Sequence, residues 1–265
     1  MSILNEIVGY KKSIVQESKE INPIKRLEKS IFFNSDTVSL SSYLKRTDKT
    51  GIIAEIKRGS PSTGIINAHV DIEKLSISYM QNGASALSVL TDTKFFKGQN
   101  QDLEIARKFN YCPILRKDFI IDEYQILEAK SIGADCILLI ADCLEPTQCK
   151  NLAKLAKSLQ LEVLLEVHSV QNIHSHTNQY VDVIGVNNRD LNNFTTDINH
   201  SKLLYKHLPS ELVKVSESGI TEASQIKELK DVGFDGFLIG GFFMQHNEPG
   251  KACMQLIKNY LKLCI

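Results

Sequence analysis

Residues 113–140 read PILRKDFIIDEYQILEAKSIGADCILLI, and this stretch decides the fold. Its two apolar ends predict short strands at Pro113–Arg116 and Cys136–Ile140. Between them, Glu123–Ser131 has the residue spacing of a helix, and Gly133 follows as a helix C-cap that leads straight into the second strand. A strand, a helix and a second strand in this order predict one unit of a parallel α/β sheet.

The same alternation extends in both directions from this stretch. It predicts eight strands, at Ile52–Lys57, Ala86–Leu90, Pro113–Arg116, Cys136–Ile140, Glu162–Val167, Val183–Val186, Val213–Ser216 and Gly236–Ile239. Helices are predicted between and after them, at Ile72–Gln81, Gln101–Lys108, Glu123–Ser131, Pro146–Leu159, Val170–His176, His200–His207, Glu222–Val232 and Lys251–Leu261. Gly83 and Gly233 repeat the C-cap pattern of Gly133.

Eight such units in 265 residues predict a (β/α)8 TIM barrel, a fold that commonly takes about 250 residues. An open doubly wound sheet would favour a glycine-rich phosphate loop after the first strand, and residues 55–62 have too few glycines at the wrong spacing. Ile3, Leu4, Ile7 and Val8 recur at helical spacing ahead of the first strand. We therefore expect a single domain, with an N-terminal helical extension at residues 1–48 and the barrel at residues 49–265.

The composition limits the partners and the compartment. With 31 basic and 31 acidic residues the formal net charge is zero, so the charge balance indicates neither nucleic acid nor an anionic membrane as a partner. The six cysteines form no Cys-x-x-Cys pair, as is typical of free thiols in a reducing compartment. Charged residues occur too close to the start of the sequence for a signal peptide, and no apolar run approaches the length of about 18 residues that a membrane span needs. These features predict a cytoplasmic protein; a monomer is expected, with a weak dimer as the alternative.

Charged and polar residues are concentrated at the carboxyl ends of the predicted strands. In a barrel these ends and the loops after them form the active face. One such Glu or Lys is usually a salt-bridged structural residue, but several from different strands indicate an active site, since buried charges are costly unless they are paired or functional. The residues are Glu55, Lys57, Lys117, Asp118, Glu166, His168, Asn187, Asn188, Arg189, Glu217 and Ser218.

A second group of small residues follows the last two strands, in Ser216–Ile220 and Ile239–Phe242. Glycines at this place let backbone N–H groups approach an anion, and barrels often bind phosphate there. Two tight turns would give the same pattern. The position after the eighth strand favours a phosphate site.

Six segments contain these polar strand ends with their neighbours: residues 54–62, 88–98, 115–122, 164–168, 184–191 and 216–220. In this order they resemble the motifs of the indole-3-glycerol-phosphate synthase family, and the resemblance covers roughly residues 50 to 245. Three positions depart from the family pattern. Gly59 stands where a side chain is usual, Asp92 replaces a usual Glu, and Gly241 replaces a polar residue that would add a hydrogen bond to phosphate.

The resemblance implies a reaction and assigns the proton-transfer residues. The substrate would be 1-(o-carboxyphenylamino)-1-deoxyribulose 5-phosphate, which undergoes ring closure, loss of carbon dioxide and dehydration. Lys117 would be the acid for ring closure, and Glu166 would transfer a proton during dehydration. Lys57 is an alternative or cooperating acid for that step. Glu55 lies two residues before Lys57, so it would hold this lysine and bind substrate hydroxyls.

The remaining candidates would bind the substrate. Asn187 and Arg189 would orient it, and Glu217 follows a strand at the same end of the barrel. The predicted phosphate cradle consists of Ser218, Gly219, Gly240 and Gly241, helped by Ser60 or Arg58. Phe96 would line the pocket for the anthranilate ring, with ordinary packing as its alternative role. The loop 58–69 is predicted to be a lid.

Other signals are discounted, and competing functions stay open at this point. His174-Ser175-His176 lacks the companions of a metal site, so neither a metal nor a cofactor is expected. His168 is discounted because its side chain should alternate away from the residue before it. Phosphoribosylanthranilate isomerase and the tryptophan synthase α chain are barrel alternatives that lack this Glu-x-Lys together with the Lys-Asp pair. A catalytically silent phosphosugar-binding protein is an alternative from another class.

Overall fold

Eight parallel strands close into a barrel in the computed structural model, which describes residues 3–190 and 194–265. Leu191, the last residue of one of the motifs, lies outside the described residues. Each strand pairs with its neighbours in the chain, and β1 pairs with β8 through Ile52 and Phe237. The predicted fold is therefore confirmed. The strands are β1 Ile52–Ile56, β2 Ala86–Leu90, β3 Ile114–Lys117, β4 Cys136–Ile140, β5 Glu162–Val167, β6 Val183–Asn187, β7 Val213–Glu217 and β8 Gly236–Ile239.

Helices surround the barrel and precede it. They are α1 Ile3–Ile21, α2 Ile24–Leu27, α3 Leu40–Leu44, α4 Ile72–Gln81, α5 Asn100–Phe109, α6 Glu123–Ser131, α7 Pro146–Ser158, α8 Val170–His176, α9 Asn199–Tyr205, α10 Ala223–Val232, α11 Gly241–Met244 and α12 Pro249–Lys262. A short hairpin pairs Gly59–Ser60 with Gly64–Ile65, and a 3-10 turn spans Ala141–Cys143. Within the described residues, no helix combines the length and the apolar character needed to span a lipid bilayer.

Three strands run one residue further than the apolar pattern predicts, to Lys117, Asn187 and Glu217. The charged or polar side chains end the apolar runs, but the backbone ladder continues through them, with Leu90 opposite Lys117 and Asn187 opposite Glu217. These polar groups are therefore fixed by sheet hydrogen bonds and do not belong to the following loops.

Alternate strand residues divide the core in two. One set, including Val163, Leu165 and Val167 of β5, packs against the surrounding helices, while Leu164 faces the barrel interior. Leu40 and Leu44 of α3 pack against the interior set, at the end of the barrel opposite the polar strand ends. Successive inward positions therefore lead from an apolar base to the polar mouth.

One face of helix α1 is buried, and this face contains a lysine. Its buried residues are Ile7, Lys11 and Val15, at helical spacing along one face. The Nζ atom of Lys11 lies 3.0 Å from Asp92 Oδ2 and 2.6 Å from Asp118 Oδ1. Burial acts to lower the pKa of Lys11, but the two carboxylates outweigh it and raise that pKa. The charged stretch that begins at Lys11 is therefore not wholly a solvent face, and this residue ties the N-terminal helix to the barrel mouth.

Replacing Lys11 by methionine is expected to lower the free energy of unfolding by about 3 kcal/mol. Methionine has a volume similar to that of lysine but no charge, so two buried carboxylates lose their partner. Denaturant unfolding followed by circular dichroism measures this change. Lys12→Met is the matched control, since Lys12 is the next residue of the same helix and is exposed. Equal stability of the two variants would contradict a stabilising role for the Lys11 pairs.

Candidate active site

A cavity of about 590 Å³ opens at the polar mouth, within the 300–1,000 Å³ range usual for small-molecule sites. Thirteen of the fourteen residues predicted for the site line it: Glu55, Lys57, Ser60, Phe96, Lys117, Glu166, Asn187, Arg189, Glu217, Ser218, Gly219, Gly240 and Gly241. Strands β1, β3, β5, β6 and β7 supply Glu55, Lys117, Glu166, Asn187 and Glu217, and the other residues follow β1, β2, β6, β7 and β8.

Arg58 is the predicted site residue that does not line the cavity. Its guanidinium forms an ion pair with Asp102 in the first turn of α5, and it also donates to Lys97 O at 3.3 Å. Residues alternate along an extended chain, so Arg58 points to the helix layer while Lys57 points to the interior. The expected contribution of Arg58 to the phosphate cradle is therefore wrong for this geometry.

Lys117 lies at the centre of the cavity between two carboxylates. Its Nζ atom donates to Glu166 Oε2 at 2.9 Å and to Glu217 Oε2 at 2.8 Å. Burial favours the neutral amine, but the negative charges of Glu166, Glu217 and Glu55 outweigh it and raise the pKa of Lys117. The residue is therefore an ammonium, with protons to donate, held at a fixed place.

The two carboxylates that contact Lys117 differ in their proton affinity. Burial acts to raise the pKa of Glu166, but Lys117 and His168 outweigh it and lower that pKa. Burial raises the pKa of Glu217 to about 7; Lys117 opposes this effect, while the neighbouring Glu166 and Glu55 add to it. A pair of acids with separated pKa values can divide proton acceptance and proton donation near neutral pH.

Gly185 leaves the space that Glu217 occupies. A Cβ atom at position 185 would overlap Glu217 Oε1 and would lie 2.9 Å from Leu164 Cδ2. The sequence pattern gave no signal for this role, because Gly185 lies in the middle of a buried strand and its neighbour in space is fixed only by the strand pairing.

We expect Gly185→Ala to lower kcat by about tenfold or more, because displacement of a reacting group by about 1 Å can cost up to about a hundredfold. Steady-state kinetics of product formation measures the change. Gly9→Ala is the control, since a Cβ at position 9 of α1 has no atom within 4 Å. Unchanged kcat in Gly185→Ala would contradict the need for Glu217 at its present position.

Lys57 and Glu55 form a second ion pair at the edge of the cavity, with 2.8 Å between Nζ and Oε1. Both side chains project inward from the end of β1, as the spacing of two residues predicts. Gly240 lets Glu55 approach, since a Cβ there would lie 2.9 Å from that of Glu55. At Gly241 a Cβ would have only Lys57 Nζ near it, at 4.0 Å, so a side chain fits there.

Asn187 and Arg189 connect the acid–base group to the loops. Asn187 Nδ2 donates to Glu166 Oε1 at 3.1 Å, and its Oδ1 accepts from the backbone N–H of Arg189 at 3.0 Å. The guanidinium of Arg189 donates to Phe194 O at 3.2 Å and lies 3.5 Å from Ser62 Oγ. Asn187 therefore orients Glu166, while Arg189 spans two loops at the cavity edge.

The turn after β7 has an unusual backbone. Ser218 has φ of 69° and Gly219 has φ of 77°, so a residue with a side chain takes the left-handed conformation that glycine adopts readily. Asn188 Nδ2 donates to Ser218 O at 3.0 Å and holds this turn. After the neighbouring strand β8, Gly240 and Gly241 begin α11, whose first backbone N–H groups have no partner within the helix. The two turns form a polar nook opposite Lys117.

The opposite wall of the cavity is apolar. Phe96 lies 6.0 Å from Phe119 between ring centroids, and Ile3, Leu4 and Ile7 of α1 complete this wall. The helical spacing of Ile3, Leu4 and Ile7 predicted a helix but did not reveal which surface it covers. The N-terminal helix therefore contributes directly to the site.

His168 is a site neighbour that the sequence reasoning missed. Alternation along the chain does separate it from Val167, which faces the helices, but this brings it to the side of Glu166. Its Nε2 lies 3.6 Å from Glu166 Oε1, and its Nδ1 lies 3.0 Å from Asp142 Oδ2. The spacing of two residues from Glu166 was the available signal.

A closed parallel barrel with a lysine between carboxylates at its mouth, facing a glycine-lined nook, defines an acid–base barrel enzyme. The family model "Indole-3-glycerol phosphate synthase" matches residues 4–256. The chain belongs to the indole-3-glycerol phosphate synthase family.

Individual relatives agree with this assignment, and solved structures share the fold. The chain is 45% identical to indole-3-glycerol phosphate synthase of Bacteroides thetaiotaomicron, over 98% of both chains. It is 40% identical to that of Caldanaerobacter subterraneus subsp. tengcongensis, over 93% of this chain and 94% of the relative. 3-Hexulose-6-phosphate synthase from Salmonella typhimurium has a similar structure, with a TM-score of 0.63 at 11% identity, over 80% of this chain and 99% of that one. A tryptophan synthase α-subunit from Pyrococcus furiosus has a TM-score of 0.61 at 12% identity, over 82% of this chain and 100% of that one. At such identities these two structures support the fold alone.

Proposed function

We propose that this protein converts 1-(o-carboxyphenylamino)-1-deoxyribulose 5-phosphate to indole-3-glycerol phosphate by ring closure, decarboxylation and dehydration. The observation that carries the proposal is the position of Lys117, between two carboxylates and in the same cavity as a glycine-lined nook. This arrangement can protonate one end of a flexible molecule while its other end is held.

Lys117 is the proposed acid of ring closure. As the aromatic carbon attacks the ketone, negative charge develops on the ketone oxygen, and an ammonium can neutralise it by donating a proton. The raised pKa of Lys117 ensures that the proton is present near neutral pH. Glu166 and Glu217 fix the direction in which the ammonium points.

Glu166 is the proposed base of the dehydration step. Its lowered pKa keeps it ionised and able to accept a proton from the substrate carbon. Lys57 is the cooperating acid that would assist departure of the hydroxyl group, and Glu55 holds it in place. Glu217, with a pKa of about 7, can exchange a proton with Lys117 between the two steps.

The phosphate group is proposed to bind in the nook of Ser218, Gly219, Gly240 and Gly241, with Ser60 from the first loop. Glycines allow backbone N–H groups to approach the oxygens of an anion. Phe96 lies on the opposite, apolar wall and would contact the anthranilate ring. Arg189 would bind the substrate carboxylate or a hydroxyl group. Anchoring both ends lowers the entropic barrier to ring closure.

The hairpin after β1 is proposed to act as a lid within loop 58–69. Ser60, Pro61, Ser62, Thr63 and Ile65 line the cavity, while Gly64 between them is exposed. A loop with one face on the cavity and the other in solvent can close over a bound substrate.

The test is a fluorescence assay of indole formation from the proposed substrate. Product formation by the purified protein supports the proposal. Binding of a reduced substrate analogue without any product would instead support a silent phosphosugar-binding protein.

The remaining assignments concern the state of the protein in the cell. The whole chain is proposed to work as one domain, because α1 completes the cavity wall and is tied to the barrel by Lys11. A monomer is proposed over a weak dimer, with the cytoplasm as the compartment. The zero net charge supports the absence of a nucleic-acid partner. Light scattering of the purified protein at several concentrations tests the monomer.

A further inference from the structure

Glu166 is approached from two sides. From within the cavity, Lys117 donates to its Oε2 and Asn187 donates to its Oε1. From outside the cavity, His168 Nε2 lies 3.6 Å from Oε1. His168, Asp142 and Asn172 do not line the cavity, so the proposed roles of substrate-contacting groups do not account for them.

Asp142 faces the imidazole of His168, and Asn172 and Ser169 fix the backbone around it. Asp142, in the 3-10 turn after β4, lies 3.0 Å from His168 Nδ1. Asn172 of α8 joins the two, since its Nδ2 donates to Asp142 Oδ1 at 2.9 Å and its Oδ1 accepts from the His168 backbone N–H at 2.9 Å. Ser169 accepts from the backbone N–H of Asn172 and so begins α8. The side chain of His168 is only 13% exposed.

We propose that His168, held by Asp142 and Asn172, is a positioning residue for the reaction, which acts through Glu166 by placing a cation beside its Oε1 atom. The inference rests on the proposed function, in which Glu166 is the base of dehydration. Before the reaction, Lys117 is an ammonium that donates a hydrogen bond to Glu166. After Lys117 has given a proton to the ketone oxygen it is a neutral amine, and it no longer stabilises the carboxylate of Glu166. An imidazolium on the other side keeps Glu166 ionised at that point.

The charges around His168 support this role. Asp142 faces Nδ1, Glu166 faces Nε2, and Glu217 of β7 adds negative charge from further away. Burial acts to lower the pKa of His168, but these acids outweigh it and raise that pKa above its ordinary value of 6.5. His200 of α9 lies 3.0 Å from the backbone oxygen of His168, and His176 of α8 acts on Asp142. Asp142 also has a lowered pKa, chiefly because of the adjacent His168 imidazole.

The sign of the expected pH effect follows from these charges. Without the imidazolium, the carboxylate of Glu166 is less stable, so the pKa of Glu166 rises and the acidic limb of the rate profile moves to higher pH. At alkaline pH the imidazole is neutral in the wild type as well, so the difference disappears. An opposite charge within about 4–6 Å shifts the pKa of a carboxyl group by about 1–3 units. On the acidic limb of the rate profile, a shift of one unit in that pKa changes the rate by about tenfold.

The experiment compares single-turnover rates of indole formation between pH 4 and pH 9 for the wild type, His168→Gln, Asp142→Asn and His174→Gln. Single turnovers prevent slow product release from masking the chemical step. His174→Gln is the matched control, because His174 is exposed on α8. We expect His168→Gln to be slower by about tenfold on the acidic limb, with KM within about twofold of the wild type and equal rates at pH 9. Asp142→Asn should move the limb in the same direction but less, because it lowers the pKa of a histidine that is still present.

Each outcome separates the two proposals. A wild type that forms no indole product at any pH would overturn the proposed function. An active wild type whose acidic limb coincides with that of His168→Gln, or is shifted equally by His174→Gln, would overturn the role of His168 alone. If His168→Gln fails to fold, Asp142→Asn decides, and an unshifted limb in that variant counts against the role.

Discussion

Replacing Lys117 by alanine is expected to lower the rate of indole formation by at least about a hundredfold, the usual minimum for loss of a general acid. The ammonium is the group placed to protonate the ketone oxygen, and no other lysine lies between Glu166 and Glu217 in the described part of the chain. The loss should appear in kcat, because the phosphate nook and the apolar wall remain intact.

The Lys117→Ala measurement needs a folding check and a control. Fluorescence of the indole product gives the rate, and circular dichroism verifies that the variant is folded. Lys154→Ala, at an exposed position of α7, should keep full activity. Near-normal turnover of Lys117→Ala would end the assignment of this lysine as the acid.

Replacing Glu166 by alanine or glutamine is expected to cost at least about a hundredfold in the same assay, because the base of the dehydration step is lost. Glutamine is the sharper replacement. It has the same shape and can still accept a hydrogen bond from Lys117, so it removes the proton acceptor with little change in packing.

A control for Glu166 is available on the same strand. Glu162 begins β5 at the opposite end of the barrel, where its carboxylate accepts from Ser39, Ser41 and the backbone N–H of Ser41. Glu162→Gln should change stability more than turnover. A Glu166→Gln variant that retains most of the wild-type rate would show that Lys57 or Glu217 carries out the step alone.

Much of the fold and of the site could be predicted because both depend on short-range patterns. Alternation with a period of two residues places Glu55 with Lys57, and Asn187 with Arg189, on one side of their strands. Barrel closure then brings the carboxyl ends of all eight strands to one face. Knowing the strands was therefore enough to expect Lys117 and Glu166 in a shared cavity.

The remaining features depend on contacts between distant segments. Lys11 looks like a solvent-facing residue until its helix meets Asp92 and Asp118. Arg58 looks like a phosphate ligand until α5 brings Asp102 to it. The spacing between His168 and Glu166 was visible, but the anion that holds the imidazole comes from the preceding βα unit. No local pattern in a single sequence specifies such partners.

The ion pairs of Lys11 also have a consequence for the order of assembly. Helix α1 is synthesised before the barrel strands, yet its buried lysine cannot meet both acids until the chain has been extended through Asp118. The seam between β1 and β8 joins the two ends of the barrel and forms later still. Contacts between residues so far apart in sequence form slowly, since a long loop must close first. The catalytic pocket is therefore completed only after the chain has been made through β8 and α11, and a shorter nascent chain lacks part of the site.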